Sequence, residues 1–200
     1  MRKLLIGVTL LALAGCSARA VLVQKKVDYD PKTEARMRIY QANGNGTTNI
    51  YNDTTCADAE EGTKGPSRNP FSKDNMHNGL PKRTLKNISI GMPFTQQAVQ
   101  ALARDSYMDT NSFIEKVVTA NKPALIRGTT YLATSTLTMT CKVQAEFMPK
   151  PGVDYELHYG LSDNKCVIYV NELEPTVSVE NTEVKAKVGQ RALIRQCNKN

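Results

Sequence analysis

The sequence predicts an all-β protein, an antiparallel β-sandwich with one short helix and one long irregular loop. Three observations lead there. In residues 136–147, TLTMTCKVQAEF, Leu137, Met139, Cys141, Val143, Ala145 and Phe147 alternate with Thr136, Thr138, Thr140, Lys142, Gln144 and Glu146. A period of two sets one face in the core and the other in water. Turn signals recur between short apolar runs, and only PFTQQAVQALARD carries a helical period; many strands, frequent turns and little helix describe a sandwich.

In chain order, the first strand signal is ARMRIY, where Ala35, Met37 and Ile39 alternate with Arg36, Arg38 and Tyr40. The asparagines and glycines of ANGNG suit positive-φ turn positions, so ARMRIY and TTNIY are expected to form a hairpin. GNG reads as a turn, not a phosphate cradle, because no helix start or longer glycine spacing accompanies it. From about residue 57 to 84 the periodicity lapses into Gly, Pro, Ser, Asn and charge, a stretch long for a loop within a compact domain. LKNISI resumes the strand pattern. In PFTQQAVQALARD, Phe94, Ala98, Ala101 and Leu102 share one helical face, and Thr95 is the expected cap. FIEKVVT and PALIRGTTYLA lead to the long alternating strand. Pro149, Pro151 and Gly152 then make a turn, YELHYGL returns, SDNK turns again, and CVIYVNEL, PTVSVEN and RALIRQC complete the strand candidates.

Arg2 and Lys3 precede an apolar run over residues 4–14, broken only by Gly7 and Thr9. This fits the h-region of an export signal and falls short of the about 20 apolar residues a membrane-spanning helix needs. Two processing signals overlap at its end. Ala18 and Ala20 satisfy the small-x-small rule for cleavage after Ala20, which would release a soluble protein. The cysteine, however, abuts the h-region, and Leu13-Ala14-Gly15-Cys16 resembles the lipobox of bacterial lipoproteins, whose cysteine becomes the acylated first residue. The resemblance covers residues 1–17. It implies a signal peptide over 1–15, lipidation at Cys16 with palmitate-like chains, and attachment to the membrane through the lipid anchor. In lipoproteins of diderm bacteria an aspartate after the cysteine tends to retain the protein in the inner membrane; the Ser17 found here implies the outer membrane, facing periplasm or exterior. Residues 16–32 then read as the acylated cysteine and a flexible tether, and 33–200 as a single domain.

The four remaining cysteines, Cys56, Cys141, Cys166 and Cys197, are even in number, which in an oxidising envelope favours disulfides with three possible pairings. Cys141 and Cys166 lie in two strands of one meander with another strand between, and meet if that sheet folds over on a partner sheet. Cys56 is then left for Cys197. No metal or other cofactor is expected: these cysteines are far apart in sequence, and His77 and His158 are isolated.

Catalytic patterns are equally scarce. There is no H-E-x-x-H and no G-x-S-x-G, and SDNK combines two penicillin-binding signatures that belong in separate places, here in a hairpin turn. Glu60 and Glu61 lie in the irregular loop; Asp154 and Glu156 flank Tyr155 on the expected wet face, with His158 as a half-exposed strand residue. Asn45, Asn52 and Asn87 begin N-x-S/T triplets for which a bacterial lipoprotein has no routine use.

The 26 basic and 19 acidic residues give +7, or +5 without Arg2 and Lys3. This scattered excess supports only non-specific attraction to anionic lipid or polysaccharide, and no basic stripe with aromatic platforms suggests nucleic acid. The expectation is a non-catalytic envelope lipoprotein whose tethered sandwich binds a protein partner or supports an envelope assembly. The alternative is a small envelope hydrolase acting on cell-wall or carbohydrate material.

Overall fold

Alternating apolar residues give this chain its strands, and an amphipathic helix adds a further layer. The structure, a computed structural model, describes residues 21–42, 47–60, 76–77, 80–81, 86–103, 111–133, 138–163, 165–176 and 185–197. In order these form β1 (Val21–Gln24), β2 (Glu34–Ala42), β3 (Thr48–Asn52), α1 (Cys56–Glu60), β4 (Met76–His77), β5 (Leu80–Pro81), β6 (Lys86–Ser89) and α2 (Gln96–Ala103). Then follow β7 (Asn111–Thr119), β8 (Ala124–Ala133), β9 (Thr138–Phe147), β10 (Asp154–Ser162), β11 (Lys165–Pro175), β12 (Ala186–Arg191) and β13 (Ile194–Gln196). The expected export signal over residues 1–15, Cys16 and Ser17 lie outside the described residues, as does most of PTVSVEN. No helix among the described residues is long and apolar enough to cross a membrane.

The fold is an all-β sandwich. One sheet has seven strands in the order β1-β6-β7-β2-β10-β11-β12, the other four in the order β13-β9-β8-β3, and β4 with β5 makes a small ribbon. Met37, Ile39, Tyr155 and Leu157 of the large sheet pack against Ile126, Ala145 and Phe147 of the small one. The Phe147 and Tyr155 rings meet edge to face at 4.9 Å. Burying each large apolar side chain contributes about 1.5–3 kcal/mol, so this seam is the main source of stability. The alternation of β9 sets Ala145 and Phe147 in the core and leaves Thr140 and Lys142 exposed. Gly128 of β8 is an opening in this seam, because a Cβ there would overlap the Tyr159 ring.

Four local expectations change. ARMRIY and TTNIY do not pair: β2 is flanked by β7 and β10, so the chain crosses to the small sheet, where β3 joins β8. Pairing in the large sheet is mixed, with β1–β6, β6–β7 and β2–β10 parallel. Within residues 16–32, expected as a flexible tether, Val21–Gln24 is instead a strand paired with β6, and the Lys25 N–H continues to Ser89 O at 2.8 Å. The Arg36 guanidinium, 4.9 Å from the Tyr29 ring centroid, holds the segment that follows. Finally, the irregular stretch opens with α1. Thr55 and Asp58 cap it reciprocally: Asp58 N donates to Thr55 Oγ1 at 3.2 Å, and Thr55 N to Asp58 Oδ2 at 2.7 Å.

Pro149, Pro151 and Gly152 form the crossover from β9 in the small sheet to β10 in the large one. Gly152 has φ +73°, and a Cβ on it would sit 3.2 Å from Pro31 O. Since β9 and β11 belong to different sheets, the Cys141–Cys166 disulfide, with Cα atoms 5.8 Å apart, ties the two sheets together. A second disulfide, Cys56–Cys197, has an S–S distance of 2.10 Å and fastens the start of α1 to the residue after β13. Beside it, Glu146 Oε2 accepts from Cys56 N at 2.9 Å and from Arg195 Nη2 at 2.6 Å.

Candidate functional site

The outer face of the large sheet is covered, and its polar residues form the most concentrated chemistry among the described residues. Register aligns Glu115 of β7, Arg38 of β2, Glu156 of β10 and Asn171 of β11 in one row. Arg38 and Glu156 are wholly buried. Arg38 donates from Nε and Nη2 to Glu115 Oε1 at 3.0 and 2.6 Å, and from Nη1 to Glu156 Oε1 at 2.9 Å. Glu156 Oε1 also accepts from Tyr40 Oη at 2.7 Å and Thr95 Oγ1 at 2.6 Å.

This cluster fastens residues 89–95 to the sheet. Arg38 Nη2 donates to Pro93 O at 3.1 Å, and Arg36 Nη1 to Gly91 O at 3.1 Å. Glu115 Oε2 accepts from Ser89 Oγ at 2.9 Å, Ile90 N at 2.7 Å and Met92 N at 3.2 Å. Backbone groups that no strand satisfies therefore find ionic partners. Thr95 then starts α2, its Oγ1 accepting from Ala98 N at 3.2 Å, and the helix lays Ala98 and Ala101 against Tyr40 and Phe113.

The next row is aromatic. His158 lies between Tyr40 and Tyr169, each ring centroid 4.8 Å away, and the Arg191 guanidinium stands 5.0 Å from the outer ring, Tyr169. His158 Nε2 is 3.8 Å from Glu156 Oε2, beyond hydrogen-bonding distance, and that oxygen makes no hydrogen bond with a described residue.

Burial alone would raise the Glu156 carboxyl. His158, the Thr95 and Tyr40 hydroxyls and Arg38 outweigh it and bring its pKa down from 4.5 to about 2. Burial, and then the Glu156 charge, push the Tyr40 hydroxyl far upward, so it remains a donor. Burial opposes the charge on Arg38, but Glu115 and its other partners raise its pKa nonetheless. The result is a fixed ionic clasp. Glu156, held ionised against Arg38, is not poised to exchange a proton near neutrality.

Cys141 meets Cys166 and Cys56 meets Cys197. Asp154 and Glu156 do not lie on a wet face. Asp154 receives two hydrogen bonds of 2.7 Å from Arg36, and Glu156 is enclosed, because α2 and residues 89–95 cover that face. His158, 8% exposed, is buried rather than half-exposed. Glu60 ends α1, and Glu61 and Asn45 lie outside the described residues. Asn52 is exposed; Asn87 is buried, accepting from Phe113 N at 2.9 Å. SDNK closes the β10–β11 hairpin, with Asp163 at φ +49°. His77 lies in β4. No cluster of three or more potential metal ligands occurs among the described residues. Arg38 and Glu115 were missed, because arginine and glutamate alternating with apolar residues look like a solvated strand face. The one available signal was that an amphipathic helix needs a surface to cover. No protein-family model, curated protein or solved structure matches the chain.

Proposed function

We propose that this is a non-catalytic cell-envelope lipoprotein, anchored through Cys16 and facing from the outer membrane, whose β-sandwich binds a protein partner or supports an envelope assembly. The observation that carries the anchor is Leu13-Ala14-Gly15-Cys16 directly after the apolar run. An acyl chain contributes about 0.8 kcal/mol per buried methylene, so more than one chain holds the protein durably. The non-catalytic part is supported by where the carboxylates are engaged. A hydrolase using Asp154 and Glu156 would need them free to act on substrate, whereas Arg36 and Arg38 each occupy one. The disulfide ties and the clasp suit a rigid recognition module. In-cell crosslinking of the full chain, followed by identification of what is captured, tests this. Reproducible recovery of one envelope protein is expected, and recovery of glycan alone would contradict it.

A further inference from the structure

We propose that the end of the sandwich at which β1 starts lies against the membrane surface, so that the opposite end points away from it; this rests on acylation of Cys16. Only four residues separate Cys16 from Val21, and the intervening chain reaches at most about 18 Å even when fully extended. Val21 pairs with Lys86, and β1 runs on through Gln24, paired with Ser89, away from the anchor. The start of β1 is therefore held near the headgroups unless its ladder is broken.

The topology shows which parts share that end. β6 and β7 run parallel to β1 and start beside it, β2 ends at Ala42 opposite Asn111, and the β10–β11 hairpin closes at Ser162 and Lys165. The nine residues of β7 carry the chain about 30 Å from this end to the other. The far end holds the β7–β8 turn with exposed Lys122 and the crossover after β9. It also holds an apolar pair: the register of Ile194 with Phe147 sets Leu193, 94% exposed, beside Met148, 54% exposed. A short leash would aim this pair away from lipid.

The test uses the full-length protein in phosphatidylethanolamine and phosphatidylglycerol vesicles doped with a headgroup-nitroxide lipid. A fluorescent non-natural residue is placed at position 111 or 122, the two ends of one strand and its turn. Intact mass establishes acylation at Cys16, and non-reducing peptide mapping confirms that each labelled chain keeps both disulfides. Several-fold stronger quenching at 111 than at 122 is expected. An insertion of about 20 Gly and Ser residues after Ser17, a flexible coil, should erase that contrast. Equal quenching in the acylated protein, or stronger quenching at 122 because Met148 and Leu193 enter the bilayer, would overturn the orientation while leaving the anchor intact. A mass showing no acyl chain would overturn the anchor and the orientation with it.

Discussion

Arg38 is the residue on which the outer layer depends, and its neighbours make testable demands. Because the folded state depresses the Glu156 pKa from 4.5 to about 2, ionised Glu156 is favoured by folding. Its contribution is complete above pH 4.5 and is lost as pH falls toward 2, an acid destabilisation of about 3 kcal/mol. Urea unfolding across that range should show a steeper loss in the wild type than in Glu156→Gln; parallel curves would contradict this. Arg38→Ala leaves two buried carboxylates without their cation and should cost about 3–5 kcal/mol in equilibrium unfolding. These roles were not legible in the sequence. The rule that alternate strand residues face water fails at Arg38 and Glu156, because it takes no account of a helix laid over the second face.

At the scale of elements, α2 was readable because its period, its apolar face and Thr95 all agreed. The structure adds that the same hydroxyl both caps the helix and donates to Glu156. Thr95→Val should cost about 1 kcal/mol for the cap and a further 1.5–3, roughly, for the charged hydrogen bond. Hydrogen exchange should then show α2 amides exchanging before those of β7, and Thr95→Ser should restore them; unchanged protection would refute the coupling. The α1 helix was missed although Thr55 and Asp58 stand at capping-box spacing, because five residues give too little periodicity to register. The expected hairpin failed for a different reason. ANGNG permits a tight turn, but pairing is decided by which edges remain free, and β2 has none.

At the scale of the molecule, the two-sheet architecture was legible from the strand alternation and its turns. The mixed pairing and the parallel first strand were not, since register between distant segments leaves no local trace. The disulfides join parts far apart in sequence, and removing Cys141–Cys166 by paired alanine substitution should cost about 2–5 kcal/mol, read as a lower unfolding midpoint. A variant as stable as the wild type would show that the bridge does not brace the sheets. The proposed lipid anchor at Cys16 is tested most directly by processing at residues 16–20. Intact mass spectrometry of the mature protein extracted from membranes should find Cys16 as its first residue, carrying acyl chains. A mature chain beginning at Val21, unmodified and soluble, would contradict the account.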